Sequence, residues 1–168
     1  MELTLEILDK THIRSDFDCG HPSLDNYIKA QASQDVKRDI SVCYVLSDNP
    51  KKTVAGYYTL SSHSIPLTDL PEELSRKLPK SYQDIPAALL GRLAVSNEYK
   101  GKRLGETLLL DALNRCADLS DSIGTLAVIV DPINEKAVSF YEAYGFINLP
   151  DSERMFIPIK TIKASQAK

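Results

Sequence analysis

The chain has 168 residues, of which 43% are hydrophobic and 26% are charged, and its formal net charge is −3 at pH 7. These values are typical of one globular domain and argue against a disordered chain or a generally basic nucleic-acid binder. No apolar run approaches the length of a membrane span, and the cysteines show no metal-site spacing. The charged N-terminal segment does not resemble a signal peptide, which predicts a cytoplasmic protein.

The first third of the chain predicts strands around one helix. Residues 3–7 alternate apolar and polar side chains, as a half-buried strand does. A helix is predicted from Ser23, a residue type that caps helices, to about Arg38. Residues 41–46 and 54–60 are rich in β-branched and aromatic side chains, so they predict two strands joined by a turn at residues 48–51.

A long connection follows over residues 61–85. Residues 70–78 predict a short helix within it, because Pro71 suits a first helical position. The connection also carries a group of basic side chains, which either contact a substrate or form an ordinary solvated face: Arg76, Lys77 and Lys80.

The central stretch predicts an anion site. An apolar strand over residues 87–95 is followed by a polar loop and then by an amphipathic helix from Leu104. The first amides of a helix lack internal partners, and here Lys100, Lys102 and Arg103 add positive charge beside them. A ligand that carries phosphate is therefore predicted, and the alternative is a basic surface turn.

The loop sequence narrows the choice of ligand. It fits neither the Walker A pattern nor the dinucleotide pattern G-x-G-x-x-G. Residues 100–105, K-G-K-R-L-G, resemble the pyrophosphate loop [QR]-x-x-G-x-[GA] of the GNAT superfamily of N-acetyltransferases. Lys100 stands where Gln or Arg is usual and Arg103 replaces the middle glycine, whereas Gly105 is in place.

A second motif supports the same resemblance. Residues 134–146, N-E-K-A-V-S-F-Y-E-A-Y-G-F, match every fixed position of the GNAT signature N-x-x-A-x-x-x-Y-x-x-x-G-[FY]. A strand-like run over residues 125–130 separates the two motifs, and the resemblance covers residues 40–160. The N-terminal stretch over residues 17–35 is similar to GNAT toxins of bacterial toxin–antitoxin pairs.

The resemblance implies an α/β fold with a mixed, mostly antiparallel sheet that is splayed at the cofactor site and flanked by helices. It implies a single domain over residues 1–162. A closing strand is predicted at residues 155–159, and the polar tail at residues 163–168 is expected to fray.

The same resemblance implies acetyl-CoA as the co-substrate and no metal. The strand end at Leu93, Ala94 and Val95 would pair with the pantetheine arm. Asn134 would contact the cofactor, cap a helix, or do both. The backbone amides implied to hold the pyrophosphate belong to Lys100, Gly101, Lys102, Arg103, Leu104, Gly105 and Glu106.

The implied reaction is direct attack of an amine on the thioester. Tyr141 holds the motif position of a general acid, and its rivals are Tyr144, Tyr57 and Tyr58. No general base is evident, and His63 either lines the acceptor channel or is a surface residue. A missing base favours an α-amine acceptor, whose pKa of roughly 7.7–8.0 leaves more neutral amine at pH 7 than that of lysine, about 10.4.

Three functions stay open at this point. The chain is a toxin that acetylates aminoacyl-tRNA, an N-acetyltransferase of a small-molecule amine or peptide, or a non-catalytic acyl-CoA-binding module. The toxin hypothesis implies a ribbon-helix-helix antitoxin as partner and no membrane, and it leaves a homodimer open. It also requires basic side chains that reach tRNA phosphates, for which the candidates are Arg76, Lys77, Lys80 and Arg92, with Lys37 and Arg38 at the end of the first helix.

Overall fold

A computed structural model describes residues 1–167 of the chain. Seven strands form one sheet in the order β1-β2-β3-β4-β5-β7-β6. The strands are β1 Glu2–Ile7, β2 Val42–Asn49, β3 Thr53–Pro66, β4 Asp84–Val95, β5 Ala127–Val130, β6 Ile147–Asn148 and β7 Met155–Pro158. The helices are α1 Pro22–Asn26, α2 Ala32–Lys37, α3 Glu72–Ser75, α4 Leu104–Leu119, α5 Glu135–Ala143 and α6 Ile159–Gln166.

Antiparallel pairing dominates this sheet. β1 pairs with β2, β2 with β3, β5 with β7 and β6 with β7, all antiparallel. All four residues of β5 are buried, which explains why its sequence is an unbroken apolar run. The predicted mixed α/β fold is confirmed, whereas the splaying of strands at a cofactor site stays a prediction.

The backbone packs into two compact units. Unit 1 comprises Met1–Ser61 and Leu90–Ala112, and unit 2 comprises Ser62–Leu89 and Leu113–Lys168. The core of unit 1 includes Phe17, Tyr27, Ile28, Val45, Tyr57 and Ala94. The core of unit 2 includes Ile65, Ile85, Ala127, Ile129, Leu149 and Phe156. The single domain predicted over residues 1–162 stays a prediction.

The first helical region differs from the prediction. The helix starts at Pro22 with His21 as the N-cap residue, so Ser23 lies inside the helix and does not cap it. Proline at the first helical position explains the earlier start, because its fixed φ suits a helix and its missing N–H is not needed there. A π-helical segment, Tyr27–Gln31, then separates α1 from α2.

The later connections also differ in detail. β3 continues to Pro66, six residues past the predicted end at residue 60, so His63 lies within a strand. The short helix α3 is a single turn, and Pro71 is its N-cap residue.

The C-terminal segment is a helix through Gln166 rather than a frayed tail. Lys163 forms an ion pair with Asp121 at 2.8 Å, and Gln166 donates a hydrogen bond to Asn114 at 2.7 Å. These side-chain contacts lie within unit 2 and give the polar residues of α6 partners that the sequence pattern does not reveal. Lys168 lies outside the described residues.

A close approach between β3 and β4 organises unit 1. A Cβ atom added at Gly56 would lie 2.9 Å from the carbonyl oxygen of Ala94 and 2.9 Å from Cδ1 of Leu108. Only a residue without a side chain fits between this strand and the first turns of α4. The strand–loop–helix that was predicted to bind an anion is therefore packed directly against β3.

We expect Gly56→Ala to lower the free energy of unfolding by about 1–3 kcal/mol, the usual cost of forcing a methyl group into a packed core. Urea unfolding of the full chain measures it. Gly124→Ala is the matched control, because a Cβ there meets no atom within 4 Å, and its effect should stay within about 0.5 kcal/mol. Equal stabilities of the two variants would contradict the close approach.

Candidate active site

The loop after β4 is tied to the N-terminal segment at residues 17–20. The Asn97 amide donates to the Asp18 carbonyl at 2.7 Å, and the Asp18 amide donates to Oγ of Ser96 at 3.2 Å. The Lys100 ammonium donates to the Cys19 carbonyl at 2.9 Å. These hydrogen bonds hold the loop at Ser96 and Asn97 and again at Lys100, so the backbone between these residues has a defined shape.

The anchoring segment is itself fixed in unit 1. The ring of Phe17 is buried and meets the Tyr57 ring edge-on, with 5.4 Å between centroids. The Cys19 amide donates to the buried carboxylate of Asp25 at 2.8 Å. Burial is the main cause that raises the pKa of the Cys19 thiol to about 11, so this thiol is an unreactive core group at neutral pH.

Two loop residues adopt positive φ. Gly101 has φ +85° and open space around the position of a Cβ, and Arg103 has φ +59°. Positive φ favours glycine, which explains why the motif usually has glycine where this chain has Arg103. The Arg103 side chain is 81% exposed and forms an ion pair with Glu106 at 2.8 Å, so it turns toward the first turn of α4.

The start of α4 supplies backbone donors. The Thr107 amide donates to the Arg103 carbonyl at 3.2 Å, which leaves the amides of residues 104–106 ahead of the first intrahelical bond. With the open space at Gly101, these amides form a cradle that could hold an anion such as pyrophosphate. Since the Lys100 ammonium already binds a carbonyl, the backbone amides are the main donors for an anion.

The end of β4 holds the predicted pantetheine-pairing residues. Leu93 and Val95 are partly buried and Ala94 is buried, where the core of unit 1 surrounds it. One residue upstream, the Arg92 guanidinium stacks over the Tyr27 ring at 3.6 Å from its centroid. Sequence reasoning named Arg92 but missed Tyr27 as its partner, because the two residues are far apart in the chain.

Unit 2 positions the second motif. Asn134 is the N-cap residue of α5, and its side-chain oxygen accepts the Ala137 amide at 2.8 Å. The predicted cap is therefore confirmed, and the amide nitrogen of Asn134 is not used by the cap. A contact between Asn134 and a cofactor stays a prediction.

Tyr141 lies on α5 with its ring packed in unit 2. The residue is 8% exposed, and its ring lies 5.3 Å from that of Phe140 and 5.2 Å from that of Phe146, between centroids. Within residues 1–167 its hydroxyl has no hydrogen-bond partner, yet no fully buried side-chain atom lacks one, so the hydroxyl reaches solvent. Burial raises the pKa of Tyr141, which keeps the phenol protonated at neutral pH.

The rival tyrosines have other roles. The Tyr57 hydroxyl donates to the Leu24 carbonyl at 2.6 Å, and the Tyr58 hydroxyl donates to the Asp111 carboxylate. Tyr144 follows α5 and packs against Phe140, with 5.3 Å between ring centroids. Hydroxyls that already serve protein groups are poor candidates for proton donation to a substrate, which favours Tyr141.

Unit 2 contains one polar cluster that sequence reasoning did not assemble. Arg154 binds Asp131 through two hydrogen bonds of 2.6 and 3.1 Å and donates to Nε2 of His63 at 3.1 Å. Burial first, and then the Arg154 charge, lower the pKa of His63, so its imidazole is neutral at pH 7. His63 and Arg154 are 91 positions apart, and no local pattern signals the pair.

The basic residues of the long connection are exposed in unit 2, and none of them forms an ion pair within the part of the chain that the structure describes: Arg76, Lys77 and Lys80. Over the same residues, no group of three or more His, Cys, Asp or Glu side chains could hold a metal ion. None of the helices described is long and apolar enough to span a membrane.

Comparison with known proteins identifies the family. Residues 83–163 match the model of the Acetyltransferase (GNAT) domain. The chain is 37% identical over 169 residues to the probable toxin TacT of Sinorhizobium fredii, which covers 95% of this chain and 93% of that protein. The chain belongs to the GNAT acetyltransferase family. It is also 34% identical to the tRNA-acetylating toxin of Mycobacterium tuberculosis, over 88% of this chain and 87% of that one.

Solved structures agree with this assignment. A tyrosine-to-phenylalanine mutant of KacT superposes with a TM-score of 0.92 at 30% identity, covering 98% of this chain and 99% of that chain. AtaT complexed with acetyl-methionyl-tRNAfMet gives 0.91 at 33%, with the same coverage. An AtaT mutant bound to acetyl-CoA and the C-terminus of antitoxin AtaR gives 0.83 at 29%, covering 99% of each chain. The predicted GNAT acetyltransferase family and its resemblance to toxins are confirmed.

We expect Arg103→Gly to leave the dissociation constant of acetyl-CoA within about fivefold of wild type, because an exposed ion pair contributes at most about 1 kcal/mol. Titration calorimetry measures it. Arg103→Ala is the matched control: it loses the same ion pair but keeps a Cβ at positive φ, so it should be less stable than Arg103→Gly by about 1 kcal/mol. Loss of binding in Arg103→Gly would show that the side chain itself holds the cofactor.

Proposed function

We propose that this protein is an acetyl-CoA-dependent N-acetyltransferase toxin that acetylates the α-amine of aminoacyl-tRNA and thereby blocks translation. The observation that carries the proposal is the extent of the similarity. The family model matches residues 83–163, whereas the similarity to tRNA-acetylating toxins runs over 88% and 98% of the chain. The N-terminal region, which a general acetyltransferase need not share, is thus included.

The cofactor roles follow from the loop and the strand. The amides at residues 100–106 hold the pyrophosphate, and the backbone of Leu93, Ala94 and Val95 pairs with the pantetheine arm. The Asn134 side-chain amide is a further contact to the cofactor. Support comes from the cradle at Gly101 and from the backbone donors at the start of α4.

The chemistry is direct acetyl transfer. The neutral α-amine attacks the thioester carbonyl, a C–N bond forms, and the C–S bond breaks as the tetrahedral intermediate collapses. The nitrogen loses one proton, and the leaving sulfur gains one from the Tyr141 hydroxyl. The phenol regains its proton afterwards, so atoms and charge balance without a metal.

The partners and the compartment follow from the acceptor. Aminoacyl-tRNA is a cytoplasmic substrate, and basic side chains must reach its phosphates. Support for phosphate contacts is that Arg76, Lys77 and Lys80 are exposed and form no ion pair with any residue that the structure describes. A toxin of this kind requires an antitoxin, which we propose to be a ribbon-helix-helix protein, and a homodimer stays open.

Tyr141→Phe should lower turnover by about 10²–10⁴-fold, the usual contribution of general acid–base catalysis. The change keeps the packed ring and removes only the proton donor, so acetyl-CoA affinity should stay nearly unchanged. A thiol-release assay with purified aminoacyl-tRNA and calorimetry measure the two quantities. Tyr144→Phe is the control on the same segment and should retain turnover. Wild-type turnover in Tyr141→Phe would move the role to another group.

In vitro translation should stop when the protein and acetyl-CoA are both added, and should continue when either is left out. Mass analysis of amino acids released from the tRNA fraction should then show one added acetyl group.

Binding of the protein to aminoacyl-tRNA should weaken steeply between low and moderate salt, because phosphate contacts release counterions. Growth arrest on expression should disappear with Tyr141→Phe. If translation is unaffected and the tRNA is unmodified, the toxin function is wrong, and the protein is instead an acetyltransferase of a small-molecule amine or peptide.

A further inference from the structure

Among residues 1–167, no group accepts a hydrogen bond from the Arg92 guanidinium of unit 1. Its side chain is partly buried, and its only direct partner among residues 1–167 is the ring of Tyr27, at 3.6 Å. No fully buried side-chain nitrogen among the described residues lacks a hydrogen-bond partner, so the unbonded Arg92 nitrogens reach solvent and are available to a ligand. A guanidinium carries five N–H donors in a rigid fork, and stacking on a ring leaves all of them free.

The ring beneath Arg92 is held rigidly. The Tyr27 hydroxyl donates to Oδ2 of the buried Asp35 at 2.8 Å, and the ring stacks on Tyr57 with 6.3 Å between centroids. The Tyr57 hydroxyl is in turn bound to the Leu24 carbonyl. Because Tyr27 cannot swing away, the guanidinium plane above it is oriented before any ligand arrives.

The backbone that carries Tyr27 is unusual. The π-helical segment Tyr27–Gln31 interrupts the first helical region, and α2 resumes at Ala32. π-Helical turns are rare, and they occur frequently at functional sites. Here the turn joins Tyr27 to the segment that supplies its partner Asp35, so the irregular backbone builds the support for Arg92.

Arg92 could bind either the pyrophosphate of the cofactor or a phosphate of the acceptor, and its position along β4 favours the second. Arg92 precedes Val95 by three residues, and at a rise of about 3.3 Å per residue it lies roughly 10 Å upstream, away from the pyrophosphate loop. Side chains alternate along a strand, so Arg92 shares a face with Ala94, which belongs to the same core cluster as Tyr27. The guanidinium therefore lies on the face of β4 that packs against Tyr27, roughly 10 Å along the strand from the end that leads into the pyrophosphate loop.

We propose that Arg92, oriented by Tyr27, binds the last phosphodiester of the aminoacyl-tRNA, the anionic group nearest to the reacting α-amine. The inference rests on the proposed function. A guanidinium fork matches two phosphate oxygens, and this bidentate geometry positions as well as attracts. Arg92 then selects amines borne on a nucleotide against free amines, which carry no phosphate at that distance.

The test compares one charge on the substrate with one charge on the protein. The full-length wild-type protein is assayed with two substrates. One is aminoacyl-tRNA with its natural terminal phosphodiester, and the other is the same tRNA with an uncharged methylphosphonate in place of that phosphodiester. We expect the methylphosphonate to raise KM by about 10- to 100-fold, the range of hydrogen bonds to charged groups. In Arg92→Gln the natural substrate should show that raised KM, and the methylphosphonate should add no further change.

Matched variants separate positioning from structure. Arg14 is also partly buried in unit 1 but already donates to the Ile28 carbonyl and to Ser33, so Arg14→Gln should keep the full methylphosphonate effect. Arg92→Lys keeps the charge but loses the planar fork, so it should recover only part of the affinity. Acetyl-CoA affinity should be unchanged in all three variants.

Two results would overturn the inference and leave the proposed function intact. The first is an equal methylphosphonate effect in wild type and Arg92→Gln, which would place the phosphate on another residue. The second is a wild-type KM that does not respond to the methylphosphonate. A wild type that acetylates neither tRNA would overturn the proposed function and this inference with it, whereas acetylation of both at equal KM overturns this inference alone.

Discussion

Unit 1 depends on the close approach of β3 to β4 at Gly56. With no side chain at that position, the Ala94 carbonyl and the Leu108 side chain come within contact distance of β3. The Ser96 amide then donates to the Ala55 carbonyl at 2.8 Å, so strand pairing continues to the first residue of the loop. This packing fixes one end of the loop at Ser96 and the other end at the start of α4. The shape of the loop follows, because its two ends are held in place.

The distribution of charge explains how an acidic chain could serve a phosphate-rich acceptor. Most cations near the loop are already engaged, since Lys100 binds a carbonyl and Arg103 binds Glu106. Arg92 is different because it rests on a ring and keeps its donors free. Net charge governs long-range attraction, whereas the contacts that position a substrate are set locally. A formal charge of −3 is therefore compatible with a few oriented cations.

The sequence predicted the features that depend on local spacing. The cap at Asn134, the strand before the loop and the helix from Leu104 follow from residue type and periodicity alone. The interruption of the first helix at Tyr27 could not be predicted, because its residues have ordinary helix propensities and the π turn arises from packing. The contacts of Arg92 with Tyr27 and of Arg154 with His63 join distant parts of the chain. Only the fold brings such pairs together.

The environment of Tyr141 constrains how it acts in the proposed role. Burial raises its pKa, whereas a thiol has a reference pKa near 8.5, so complete proton transfer to a free thiolate would be uphill. The Tyr141 proton therefore passes to the sulfur only as the C–S bond breaks, the phenol is reprotonated afterwards, and the fixed donor stabilises the developing charge without reorganising. The proton that the sulfur finally keeps is balanced by the one that the attacking nitrogen loses. Among residues 1–167 the Tyr141 hydroxyl has no partner and its ring is packed between Phe140 and Phe146, so the donor is both available and held in place.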